Sequence, residues 1–508
     1  MSPEPLTTLR TRLGELSDIQ AAARLLEWDE QTMMPEGGQE ARAHQMGTLE
    51  RIAHERFVSD DVGELLEQLS SRMDLDATDD DSSLVRVAAR RYRKARQVPA
   101  DLKFEIAYSA SAGQHEWQAA RAADNLSDAL PALRRNVELA RRYAACFDEG
   151  DDPYDHLLDD YEEGMPTADV ATLFDSLKRD LIGLARAISE RGDTGIEPLE
   201  GPFDLDRQRT FVRELLGRVG FDERIWRVDE AAHPFLAPVA RTDLRLTTRY
   251  IPETLDGALA ALHEFGHGLY SGGVAASLER TPLGTSASMG LDESQSRLWE
   301  NVIGRSRPFA TFLCPLVQRH FPEALGDADP DRVYRGFNVV KPTLIRVSSD
   351  EVNYSLHVIL RFEIERELIA GDLDVADVGE RWNELVAEYL GAEVTSDAVG
   401  VLQDVHWWAG LFGYFPTYAL GNVMSLQVWE RLTQELPSVE DDIAAGRFEP
   451  LREWLTDRIY RHGAKLTSTQ LLENLTGGGL EATPYLRYLR TKFGALYGLE
   501  TSASSARA

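Results

Sequence analysis

Residues 263–267 read His-Glu-Phe-Gly-His. Histidines four apart on a helix share one face about one turn apart, so two imidazoles can be offered to a single tetrahedral cation. Glu264, beside the first histidine, is placed to take a proton from water that such a cation activates. Two surface histidines on an ordinary helix would show the same spacing. The surroundings argue against that: 254–270, TLDGALAALHEFGHGLY, is apolar or small at helical spacing, where an unpaired His or Glu is costly. Gly266 and Gly268 lower helix propensity but leave room beside the histidines.

A catalytic cation of this kind takes a third protein ligand and keeps one position open. A third histidine six residues past His267 is ruled out, because Gly273 stands there. The stretch 290–303, GLDESQSRLWENVI, predicts a following helix that carries Asp292, Glu293 and Glu300. Glu293 is the favoured ligand, and Asp292 or Glu300 would then orient a ligand imidazole.

Further blocks surround this centre: His233-Pro234-Phe235; Asp243, Arg245 and Thr247; Glu293-Ser294-Gln295; Ile345-Arg346 with Asp350; and Gly400, Gln403, Asp404, His406 and Trp407. In residue type, order and spacing they resemble the M32, or Taq-type, metallocarboxypeptidases. LLEWDEQTMMP near the start and YDHLLDDYEEGM at 154–165 extend the resemblance over essentially the whole chain. Two positions depart from the family's pattern. Asp292 stands where His usually precedes the ligand Glu, and Ser349 replaces an Ala.

The resemblance implies a nearly all-helical fold with a deep central groove, a homodimer, and Glu293 as third ligand to one zinc per subunit, with cobalt activating some members. It also implies removal of one C-terminal residue at a time from peptides, with broad specificity and none past Pro. Recognising a free α-carboxylate calls for an arginine making two parallel hydrogen bonds. Arg346 and Arg245 stand out because they fall in the family's blocks, and His233, Asp243, Gln403 and Tyr414 are further candidates for binding substrate. The tetrahedral intermediate needs an oxyanion donor. The family pattern favours Tyr418 in FGYFPTY (412–418), with His406 as a neighbouring candidate. A zinc oligopeptidase or endopeptidase of the helical-groove type would use the same hydrolytic core and differ only in its products.

The elements that must position these residues read as helices almost throughout: 5–27, 38–56, 84–148, 167–193, 206–219, 254–272, 290–305, 345–371, 376–391, 423–435 and 449–462. The acidic stretch 71–83 reads as a loop. The best strand signal is 239–249, VARTDLRLTTR. No repeat or linker appears. The expected fold is therefore mainly α: a single helical body over 1–500 with a small sheet near the metal helix, gluzincin-like, and a frayed tail at 501–508.

A net charge of −31 argues against nucleic acid as a partner. No apolar run approaches the roughly 18 residues a membrane span needs. Cys146 and Cys314 are far apart and read as reduced thiols, and the first residues show no secretion signal, so a cytoplasmic protein is expected. Only six of the 54 basic residues are lysine, and an acid-rich, Lys-poor surface suits concentrated salt, which predicts a halophilic source.

Overall fold

A computed structural model describes residues 4–147, 152–192 and 194–499; the tail at 501–508 lies outside them. The fold is mainly α, as the periodicity predicts: 67% of it is helical, and the described residues hold one three-stranded sheet. Contacts divide the chain into two compact units. One comprises Met1–Arg96, Leu199–Phe337 and Val428–Gly478; the other comprises Gln97–Pro198, Asn338–Gln427 and Gly479–Ala508. Each unit is closed by segments far apart in the chain, so no composition shift or linker marks the division in the sequence.

The long helical stretch expected at 84–148 is three helices, Asp80–Gln97, Ala100–Ala123 and Leu126–Ala144. Pro99, extended at φ −57°, ψ 141°, stops the first, consistent with a ring that lacks an N–H for the helix ladder. Asp124 ends the second in the left-handed region at φ 54°, and the Asn125 side chain caps the third by accepting from Ser127 N.

The strand expected at 239–249 is two strands and a turn. β2 (Leu236–Ala240) runs into β3 (Asp243–Thr248), and β1 (Trp226–Glu230) pairs with β3 from the other side, in the order β1-β3-β2. β1 runs parallel to β3 and β2 antiparallel to it. Leu244, Leu246 and Thr248 of β3 are buried, and Thr248 Oγ1 donates to Gly257 O at 2.7 Å, which ties the sheet to the start of helix Asp256–Gly273. The fully buried rings of Phe265 and Trp299 pack edge to face, with centroids 5.2 Å apart, and Trp226 lies 5.1 Å from Phe265. Burying each such ring contributes roughly 1.5–3 kcal/mol.

The helix expected at 345–371 begins later, at Tyr354. The Asp350 carboxylate accepts from Val352 N, Asn353 N and Asn353 Nδ2, a local turn that competes with helix, so 345–353 is a loop with a short 3-10 turn at Arg346–Ser348. Arg346 is therefore displayed from a loop. Helix Pro416–Glu435 starts seven residues ahead of its expected position at 423, with Pro at its first turn, where a missing N–H costs nothing.

Candidate active site

Helix Asp256–Gly273 carries His263, Glu264 and His267, and helix Met289–Arg297 carries Glu293. Ser288 caps the second helix by accepting from Leu291 N at 3.0 Å, which fixes where Glu293 falls. The two helices approach closely at Gly266. A Cβ there would lie 2.4 Å from Gln295 O and 2.7 Å from Ser296 Cα, so only glycine fits.

One ligand atom from each of His263, His267 and Glu293 falls within 4.8 Å of the others. Glu293 Oε2 lies 3.6 Å from Nε2 of His263 and 3.4 Å from Nε2 of His267. Bonds of ~2.0–2.1 Å in a tetrahedral zinc site space the donors about 3.3–3.4 Å apart, so two nitrogens and one oxygen fit such an ion with one position left open. The imidazoles are turned by their other nitrogens. Glu300 Oε2 accepts from His263 Nδ1 at 2.8 Å, and Asp292 Oδ2 lies 2.7 Å from His267 Nδ1. Glu300 thus orients one imidazole through a hydrogen bond, and Asp292 stands at ion-pair distance from the other. Past Arg297 the chain continues as a π-helical segment, Leu298–Ile303, which carries Glu300.

Electrostatics divide the carboxylates of this centre. Burial pushes Glu293 up, but Arg297, His263 and His267 overcome it and hold the group well below the usual range, ionised as a ligand must be. Arg297 Nε donates to Glu293 Oε1 at 2.6 Å and Ser296 Oγ to Oε2 at 3.1 Å. Glu264 is buried with 6% of its surface exposed, and burial raises its pKa against the opposing pull of His263 and His267. His233 is exposed, with its Nδ1 against Pro234 O at 2.9 Å. Asp243 and Arg245 pair with each other through Nε–Oδ1 at 2.8 Å and Nη2–Oδ2 at 3.0 Å. Arg245 stacks over the Trp28 ring at 4.5 Å, and Arg227, its partner across the parallel strands, stacks on the same ring at 4.8 Å. Trp28 belongs to the N-terminal LLEWDE stretch, to which sequence reasoning gave no role.

The second unit gathers Arg346, Gln403, His406, Tyr414 and Tyr418. Arg346 is 4% exposed and pairs with Asp404 through Nη2–Oδ1 at 2.8 Å and Nε–Oδ2 at 3.2 Å. Its guanidinium stacks over the Tyr418 ring at 4.8 Å, and Nη1 donates to Tyr354 OH at 3.1 Å. His406 Nε2 stands 3.3 Å from Tyr418 OH, and its ring stacks on Tyr414. The Gln403 amide is taken up by backbone: Oε1 accepts from Arg346 N at 2.8 Å and Nε2 donates to Leu344 O at 2.8 Å. That residue fixes the loop that bears Arg346.

Sequence reasoning missed Arg361 and Glu365. Arg361 is fully buried and also binds Asp404, through Nε–Oδ2 at 2.8 Å and Nη2–Oδ2 at 2.6 Å. Burial lowers Arg361 to about 10, which leaves it charged at neutral pH, and the two arginines hold Asp404 well below the carboxylate range against its own burial. Burial likewise drives His357 down to about 3, helped by Arg361 and Arg346, so its ring is neutral. The available signal was the run of His357, Arg361 and Glu365 four residues apart, at helical spacing, in YSLHVILRFEIERELIA.

A profile of the carboxypeptidase Taq (M32) metallopeptidase family matches residues 8–493. The chain belongs to that family. It is 38% identical over 498 residues to the thermostable carboxypeptidase 1 of Thermus thermophilus, covering 95% of this chain and 97% of that protein. Carboxypeptidase 1 of Bacillus subtilis is 33% identical over 489 residues, covering 96% and 97%. Among solved structures, the M32 carboxypeptidase of Deinococcus radiodurans R1 matches with a TM-score of 0.93 at 38% identity, over 97% of this chain and 99% of that one. Metallocarboxypeptidase 1 of Trypanosoma cruzi matches at 0.92 and 30%, over 96% and 99%. The chain is a metallocarboxypeptidase, and its family implies a divalent metal. Among the described residues, His263, His267 and Glu293 form the one His/Glu cluster with the geometry to hold it.

Proposed function

We propose that the enzyme removes single residues from the C-termini of peptides, with broad side-chain tolerance and no cleavage past Pro, using zinc held by His263, His267 and Glu293, or cobalt in its place. The carrying observation is the spacing of these three donors, with Glu264 buried beside them. When bound, the cation activates water and polarises the scissile carbonyl. Glu264 takes the proton from the attacking water on its carboxylate and passes it to the leaving amine.

Arg346 is assigned to the substrate carboxylate, and Tyr418, with His406 against its hydroxyl, to the developing oxyanion. Two buried arginines face one aspartate in that cluster, an excess of positive charge that an incoming carboxylate would offset. Arg245, already paired with Asp243, is the weaker candidate for that role, and exposed His233 and stacked Tyr414 are assigned to lining the substrate site.

The resemblance supports a homodimer, checked by light scattering. Two free thiols agree with a cytoplasmic location, and no described helix is long and apolar enough to cross a membrane.

Mass spectrometry of digested peptides tests the reading. A ladder losing one C-terminal residue at a time is expected with metal restored after chelation, while internal fragments would identify an oligopeptidase instead. Glu264→Gln should keep metal and lose hydrolysis, and undiminished turnover would refute its role.

A further inference from the structure

Helix Tyr354–Ala370 buries a polar stripe along one face: His357, Arg361 and Glu365, four residues apart, each with no exposed surface. Burying polar side chains is costly unless they are paired, and these three reach two loop segments, His357 the one ahead of Arg346 and Arg361 and Glu365 the one that begins at Asp404. His357 Nε2 donates to Thr343 O at 3.0 Å, three residues before Arg346. Arg361 grips Asp404, the residue that also holds Arg346. Glu365 accepts from Trp407 Nε1 at 2.8 Å on Oε1, and from Gly413 N at 3.0 Å and Tyr154 OH at 2.5 Å on Oε2.

Trp407 and Gly413 bracket the irregular segment after Asp404, and His406 precedes Trp407 directly. Gly413 sits at φ +85°, and a Cβ there would lie 2.6 Å from Leu157 C, so the backbone turns in a way that presents its N–H to Glu365. The Glu365 carboxylate takes three donors from two segments, and two of them, Trp407 and Gly413, lie in loop 404–413.

We propose that Glu365 is a positioning residue for recognition of the substrate's C-terminal carboxylate: by pinning loop 404–413 through Trp407 and Gly413 it sets the orientation of Asp404, and through Asp404 that of Arg346. This rests on the reading of Arg346 as the carboxylate anchor. Glu365 touches no substrate itself. Its loss changes how well the anchor is aimed, so it acts on substrate affinity more than on the bond-breaking step.

Glu365→Gln is nearly isosteric. Its amide oxygen can still accept from Trp407 Nε1, but its NH2 then meets Gly413 N–H, donor against donor. The test compares Glu365→Gln, Trp407→Phe, their double variant and Arg346→Lys in the metal-loaded enzyme. KM, kcat, inhibition by a free product amino acid and metal content are measured for each. Expected for Glu365→Gln is a KM raised about tenfold, an inhibition constant raised by the same factor, and kcat within about twofold at full metal content. Trp407→Phe should shift KM in the same direction, and the double variant should do no worse than the worse single one, since both act on one loop. A folded Glu365→Gln enzyme with unchanged KM, alongside an Arg346→Lys enzyme whose KM rises, overturns the positioning role and leaves the anchor standing. An Arg346→Lys enzyme with unchanged KM overturns the anchor, and the proposal with it. Should Glu365→Gln not fold, Trp407→Phe decides: a raised KM supports the proposal and an unchanged one overturns it.

Discussion

Glu300 accepts from Nδ1 of His263 at 2.8 Å, which leaves Nε2 of that ring facing Glu293. The same carboxylate oxygen takes Arg297 Nη1 at 3.2 Å, so the acceptor is itself held in place. Removing it should loosen the metal without removing a ligand. Glu300→Ala is expected to weaken metal affinity about 10–100-fold, read by competition with a chromophoric chelator. Asp292→Ala should act in the same sense through His267. Unchanged affinity in both would show that the imidazoles are oriented by packing alone.

Gly266 is where the two ligand-bearing helices touch. Gly266→Ala forces a Cβ against Gln295 O, and relieving that overlap moves Glu293 away from the histidines. The substitution should cost about 1–3 kcal/mol in stability and reduce bound metal, measured by thermal unfolding and elemental analysis of the same sample. A variant with full metal occupancy and wild-type stability would contradict the close approach.

His357 links stability to acid. Its folded-state pKa, about 3, lies below the ordinary 6.5, so the unfolded chain takes up a proton that the folded chain refuses. Stability from this residue is therefore complete above pH 6.5 and lost as pH falls toward 3, at up to about 1.4 kcal/mol per pH unit. His357→Gln can keep the bond to Thr343 O and cannot titrate. Chemical denaturation at pH 7 and pH 5 should show a smaller acid loss for the variant than for the parent, and equal losses would remove His357 from the account.

The charge of −31 concerns the surface more than the chemistry. Screening of like charges should raise the unfolding temperature between about 0.1 M and 2 M KCl, and an unchanged or lower temperature would count against a halophilic origin.

Residues 263–267 pointed to metal chemistry by type and spacing, because i and i+4 on a helix share a face wherever that helix lies. The mainly helical class was equally legible, since periodicity is a local property. Residue order also singled out Glu293, although the reason it reaches the histidines is a contact between two helices at Gly266 that no local pattern encodes. The sheet was half read: β1 and β2 exist because β3 offers them a partner, and pairing is not local. Arg346 read as helical and is a loop residue, because Asp350 turns the backbone ahead of Tyr354. Only the tertiary structure decided what the buried polar residues do. Arg361 shares Asp404 with Arg346 across 43 and 58 residues of chain, and Glu365 meets Trp407 across 42, so their roles arise from packing that brings distant segments together.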